Sequence, residues 1–208
     1  MESSKEYFDE IAKDWDQLRT AFFSTSVREK AFELANIEKG NVAADIGAGT
    51  GFVTEGLLDN GLCVIAVDQS TQMLAFLEEK FKKSGSIQCL QADGNSLPMQ
   101  DESVDYVFAN MFLHHVSNPL ETIKEMYRVL KKNGKMVITD LDEHTHEFLR
   151  TEQHDVWLGF KRDQIEEWYK EAGFSQVIID CVGSNCSADS QCGSDSCAIS
   201  IFAGLGIK

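Results

Sequence analysis

Three glycines alternating directly behind a short apolar run, in VAADIGAGTG at residues 42–51, constrain this chain more than any other stretch. A strand-length apolar run breaking into Gly47, Gly49 and Gly51 predicts a strand, a tight turn without side chains, and the start of a helix. The same alternation continues downstream. CVIAVD, IQCLQAD and MVITDLD read as strands, and SVDYVFANMFL contains another. Between them FVTEGLLDNG, TQMLAFLEEKFKKSG, NPLETIKEMYRVLKKNGK and RDQIEEWYKEAGF read as amphipathic helices. Gly61 is placed to cap the first, Ser70 to open the second, and Pro119 and Gly134 to bound the third. QVIIDCV and AISIFAGLG supply two closing strands. Strands alternating with helices predict an α/β fold on a mostly parallel sheet with right-handed crossovers.

In such a sheet ligands bind beyond the carboxyl ends of the strands, and the first strand-to-helix turn is the usual cradle. The spacing here is G-x-G-x-G, and Phe52 stands where a dinucleotide fingerprint places its third glycine. No Lys or Arg lies between Lys39 and Lys80, so a pyrophosphate would find acids and no cation nearby in sequence. S-adenosylmethionine fits the segment better: it has no phosphate, and its sulfonium and ammonium favour carboxylates. Asp45 ends the first predicted strand, Asp68 the second and Asp93 the third. An acid at the second strand end can accept ribose hydroxyls, and one at the third can accept the adenine amino proton.

With that turn and those three acids the chain resembles the class I S-adenosylmethionine-dependent methyltransferases. It is similar to the small-molecule group of menaquinone and ubiquinone biosynthesis methyltransferases, over roughly residues 5 to 182 and again in AISIFAGLG. The resemblance implies a Rossmann-like, seven-stranded, mostly parallel sheet with helices on both faces and the last strand antiparallel. By position it places cofactor contacts at Asp45, Gly47, Ala48, Gly49, Gly51, Asp68, Gln69, Met73, Ala92, Asp93 and Asn110. The acceptor it implies is a small molecule, methylated by in-line displacement, with a homodimer as a possible assembly.

Methyl transfer needs alignment and exclusion of water, and a base only when the nucleophile must lose a proton. His115, after the fourth strand, is the first candidate for base or substrate contact, with His114 beside it. His146 is the second. His146, Arg150 and His154 would share one face of a lid helix, in a segment that also resembles the methyltransferase half of arsenic-repressor-fused proteins.

Six cysteines complete the inventory. Cys63 and Cys89 are expected to be buried apolar residues. Cys181, Cys186, Cys192 and Cys197 follow C-x4-C-x5-C-x4-C, only a partial match to a zinc pattern, so no metal ligand set is assigned. Thiols in such an insert also admit a soft-metal or metalloid alternative, an arsenite-like methyl acceptor or a sensing module, beside a redox pair or a loop without chemistry.

The 208 residues suffice for one domain: a helical cap over residues 1–38, whose Tyr7, Phe8, Ile11 and Trp15 share a face, then the sheet, with a Cys-rich loop over 183–197. Net charge is −15, which disfavours a nucleic-acid partner. The polar, acidic start and the absence of a long apolar run predict no membrane span and a cytoplasmic setting.

Overall fold

In the computed structural model, which describes residues 4–190 and 196–208, period-two burial makes the strands. In β4 (Val104–Asn110), Tyr106 and Phe108 pack into one core while Val107 and Ala109 pack into the other. Both faces are therefore apolar, as a parallel sheet covered by helices requires.

Seven strands form one sheet: β1 (Val42–Ile46), β2 (Cys63–Asp68), β3 (Ile87–Gln91), β4, β5 (Leu130–Leu141), β6 (Gln176–Asp189) and β7 (Ser196–Ile207), in the order β3-β2-β1-β4-β5-β7-β6. The first five pair in parallel, and β7 runs antiparallel between β5 and β6. Strand order reverses at β1, whose neighbours are β2 and β4, so a crevice opens at the carboxyl ends of these strands.

The helices are α1 (Ser4–Ile11), α2 (Trp15–Phe22), α3 (Ser26–Ala35), α4 (Phe52–Asp59), α5 (Thr71–Phe81), α6 (Pro119–Val129), α7 (Phe148–Glu152) and α8 (Arg162–Ala172). Ile123 and Met126 of α6 and Ile165 and Tyr169 of α8 cover one face of the sheet; Val27, Ala31 and Phe32 of α3 cover the other. Ser70 caps α5 as its sequence position predicts, accepting from Met73 N at 3.0 Å.

Five expectations are corrected. The opening stretch is three helices, because the chain breaks after Ile11 and at Phe23. Helix α6 stops at Val129, and Leu130 through Gly134 join β5, where a Cβ on Gly134 would lie 2.8 Å from the Lys131 carbonyl oxygen. The Cys-rich segment is shorter than a 183–197 loop: β6 extends to Asp189 and β7 begins at Ser196, with Ala188 paired to Cys197. Cys192 lies outside the described residues. Cys63 is exposed at the start of β2, and Cys89 is half-buried in β3 at the sheet edge. The lid helix is confined to Phe148–Glu152, and His154 has φ +60°, so His146 and His154 do not share a helical face.

Candidate active site

The turn after β1 is built for close approach. Gly47 N and Ala48 N donate to the Val67 carbonyl oxygen at 2.9 and 3.0 Å, folding the turn against the end of β2. Gly47 has φ +71°, and a Cβ there would lie 2.3 Å from the Phe112 ring. Only glycine satisfies both demands.

Two carboxylates flank this turn, Asp45 buried and Asp68 half-buried. Asp68 Oδ2 accepts from Gly49 N at 2.8 Å and Oδ1 from Ser70 N at 2.9 Å. Asp45 Oδ2 takes both Thr54 bonds, from the backbone N at 2.9 Å and the hydroxyl at 2.6 Å, leaving Oδ1 outside that pair. Burial pushes the Asp45 carboxyl up to about 7, against the Thr54 hydrogen bonds. Burial raises Asp68 as well.

Around them is a cavity of about 300 Å³. Asp45, Gly47, Ala48, Gly49 and Asp68 line it, as do Gln69, Met73, Ala92, Asp93 and Asn110. These are ten of the eleven positions singled out for the cofactor. Gly51 is the exception: a Cβ there would meet Phe81 at 2.6 Å and Leu77 at 3.3 Å, so it serves the approach of α5 behind the turn.

The N-terminal helices roof the cavity with Phe8 of α1 and Trp15 and Arg19 of α2. Asp9 latches α1 by accepting from Ser70 Oγ at 2.6 Å, and Asp16 latches α2 by accepting from Thr50 Oγ1 at 2.6 Å. The Arg19 guanidinium stacks 4.2 Å over Phe52, and its buried Nε has no hydrogen-bond partner among the described residues. Arg19 was missed in sequence, although its i, i+4 spacing from Trp15 puts both on one helical face.

A second chamber of about 60 Å³ adjoins the first. Phe8, Trp15, Phe23, Met111 and His115 are common to both. His115 thus stands between the chambers, its ring edge-on to Phe8 at 5.0 Å. Burial and the neighbouring His114 hold its pKa well below the usual imidazole range, so it is neutral. Burial alone would lower His114 too, but the Asp140 and Asp155 carboxylates outweigh it and lift His114 to about 9. Asp155 is raised by burial to about 6. This network is assembled from three segments, and sequence spacing carried no sign of it.

His146 lines neither chamber; it packs on His144 and Phe148 in the connection after β5. Cys186 and Cys197 are both buried, Cys186 also lining the second chamber, and burial pushes the Cys186 thiol up to about 12. A protonated core thiol is a poor ligand for a soft ion.

Comparison with known proteins agrees with this geometry. A family described as "Methyltransferase domain" matches residues 44–138, from β1 to β5. The chain is 33% identical over 188 residues to a malonyl-[acyl-carrier protein] O-methyltransferase of Marinomonas sp., covering 86% of this chain and 67% of that protein. It is 31% identical over 143 residues to a demethylmenaquinone methyltransferase of Bacillus licheniformis, covering 65% of this chain and 61% of that one. It therefore spans about two thirds of the length of these relatives. Among solved structures, a Haemonchus contortus phosphoethanolamine N-methyltransferase 2, in complex with phosphomonomethylethanolamine and S-adenosylhomocysteine, superposes with a TM-score of 0.80 at 18% identity, over all of this chain and 60% of that one. The glycine turn, the acids at the strand ends and these relatives together place the chain in the class I S-adenosylmethionine-dependent methyltransferases.

Proposed function

We propose that the protein transfers a methyl group from S-adenosylmethionine, held in the larger chamber, to a small molecule that enters the smaller one. The observation that carries this reading is the ten-residue lining of one cavity at the carboxyl ends of β1 to β4. The residues fit the group. The turn carries no side chain at Gly47 or Gly49, Asp45 and the half-buried Asp68 supply carboxylates, and Arg19 offers a guanidinium nitrogen without a partner among the described residues. When bound, S-adenosylmethionine supplies an electrophilic methyl on a sulfonium.

Each residue then has a role. Asp68 accepts from the ribose hydroxyls, its backbone bonds to Gly49 and Ser70 fixing the carboxylate beforehand. Asp93 is assigned to the adenine end with Met73, which is buried in α5 beside it. Asp45 favours the donor's cationic amino-acid end, and Arg19 its carboxylate. His115 contacts the acceptor where the chambers meet. Phe8 and Trp15 exclude water at the same place. Helix α1 buries no residue completely, so its docking is weak enough to open and admit ligands.

The chain carries net charge −15, which argues against a nucleic-acid acceptor. No helix among the described residues is long and apolar enough to cross a membrane. The described cysteines are free thiols, which fits a reducing, cytoplasmic setting.

Calorimetric titration with S-adenosylhomocysteine tests the donor site. Asp68→Ala removes a charge-assisted acceptor, so affinity should fall by about tenfold or more. Unchanged affinity refutes the ribose assignment. Formation of S-adenosylhomocysteine from the donor with candidate hydroxyl, thiol and amine acceptors then tests turnover.

A further inference from the structure

In the second chamber three donor atoms converge without bonding one another. His114 Nε2 lies 3.7 Å and His115 Nδ1 3.9 Å from Asp155 Oδ1, and one ligand atom from each of the three residues falls within 4.8 Å of the others. Those separations are too long for hydrogen bonds. The two distances to Asp155 are slightly wider than the ~3.3–3.5 Å between donor atoms sharing one tetrahedral ion at ~2.0–2.1 Å.

We propose that His114, His115 and Asp155 form a binding site for a divalent transition ion of the zinc class.

The surrounding bonds aim these atoms. Asp140 holds the other nitrogen of His114 at 2.6 Å and is itself fixed by Leu113 N and Leu141 N, each at 2.8 Å. A carboxylate behind a ligating histidine sets its ring orientation and tautomer in metal sites. Val156 N and Trp157 N both donate to the His114 carbonyl oxygen at 3.0 Å, clipping the Asp155 segment against the histidine pair. Asp155 is buried, and its carboxylate faces both imidazoles. His115 Nδ1 also lies 3.5 Å from the His154 carbonyl oxygen, a long contact.

Charge and donor chemistry select the ion. Two carboxylates, Asp140 and Asp155, face the histidine pair, and a divalent cation balances them in place of the His114 Nε2 proton, which passes to solvent. Two imidazoles and one carboxylate suit Zn²⁺, Co²⁺ or Fe²⁺, whereas Mg²⁺ and Ca²⁺ favour all-oxygen shells. All three ligands line the second chamber, so the fourth coordination position faces that space. The consequence for chemistry rests on that chamber being the acceptor's. An ion there favours an acceptor hydroxyl or thiol, whose proton becomes easier to lose to solvent when the heteroatom binds the metal.

The test needs no methyl donor, so its outcome is separate from that of the methyl-transfer reading. The full chain is stripped with chelator, then titrated with Zn²⁺ by calorimetry and with Co²⁺ by visible absorption. One equivalent should bind with micromolar or tighter affinity, giving cobalt d–d bands without a thiolate charge-transfer band. Asp155→Asn and His115→Gln should each weaken binding at least tenfold, while Cys186→Ser leaves it unchanged. Circular dichroism confirms that each variant is folded, and the wild-type cobalt spectrum decides the ligand set should one variant fail to fold. Absence of binding overturns the proposal. So does a thiolate band, or binding that both variants leave intact.

Discussion

Asp45 makes stability depend on pH in a direction opposite to that of an ordinary salt-bridged carboxylate. Its folded pKa is raised from 3.8 to about 7, chiefly by burial. An unfolded Asp45 is ionised above about pH 4, whereas the folded one keeps its proton until about pH 7. The unfolded state therefore binds fewer protons across this window, and stability falls as pH rises through it. One proton over two pH units is worth at most ~2.7 kcal/mol. Asp45→Asn presents one carbonyl oxygen to the two Thr54 donors and cannot ionise. Urea unfolding of both proteins without cofactor, at about pH 5, 6 and 7 and fixed ionic strength, should show the wild type losing ~1.5–2.7 kcal/mol relative to the variant. Asp155, raised to about 6, titrates in the same window but does so in both proteins, so its effect cancels in the difference. Parallel profiles would refute the reasoning, since they would mean that the folded carboxyl is already ionised at pH 5. The donor's ammonium favours the ionised form, so cofactor binding near pH 6 should release a proton. Calorimetry in buffers of different ionisation heat detects that release, and Asp45→Asn should abolish it.

Other substitutions separate binding from architecture. Arg19→Met keeps the packing on Phe52 but removes the charge, and should weaken S-adenosylhomocysteine ~10–100-fold while leaving 5′-methylthioadenosine, which lacks the carboxylate, unaffected. Equal losses for both ligands in the same titration would reduce Arg19 to a structural role. Gly47→Ala drives a Cβ to 2.3 Å from Phe112 at φ +71°, and should cost ~1–3 kcal/mol in thermal or urea unfolding as well as cofactor affinity. Retention of both would mean that Phe112 swings aside freely.

The donor side was legible in sequence because it is local. Each acid sits at the end of its own strand, and Gly47 and Gly49 sit in one turn, so strand pattern located these and the family resemblance supplied the positions between them that line the same cavity. Gly51 shows the limit of that reasoning. Its spacing matches its neighbours', yet the space it leaves is filled by Leu77 and Phe81 of α5. A pattern along the chain cannot say which side of a turn a missing Cβ serves. The Cys-rich segment failed for a related reason: small polar residues suggested a loop, while pairing with β7 held 185–189 in the sheet.

On the proposed acceptor side only the histidine pair after the fourth strand was legible, because no single segment contains the rest. Phe8 and Trp15 keep the helical spacing of core residues, but α1 buries nothing completely and α2 lies over the strand ends, so these rings roof the chambers. Asp140 ends β5, His114 follows β4, and Asp155 follows α7; only the β4–β5 pairing and the clip from Val156 and Trp157 to His114 bring them together. The division has a physical basis. A donor common to many reactions is gripped by backbone geometry that the fold imposes, such as a glycine turn and strand termini. An acceptor particular to one reaction is met by side chains on connections and terminal helices, which can change without disturbing the sheet. With the acceptor in the second chamber as proposed, substitutions in the roof and around His114, His115 and Asp155 should alter which molecule is methylated before they alter how the donor is held.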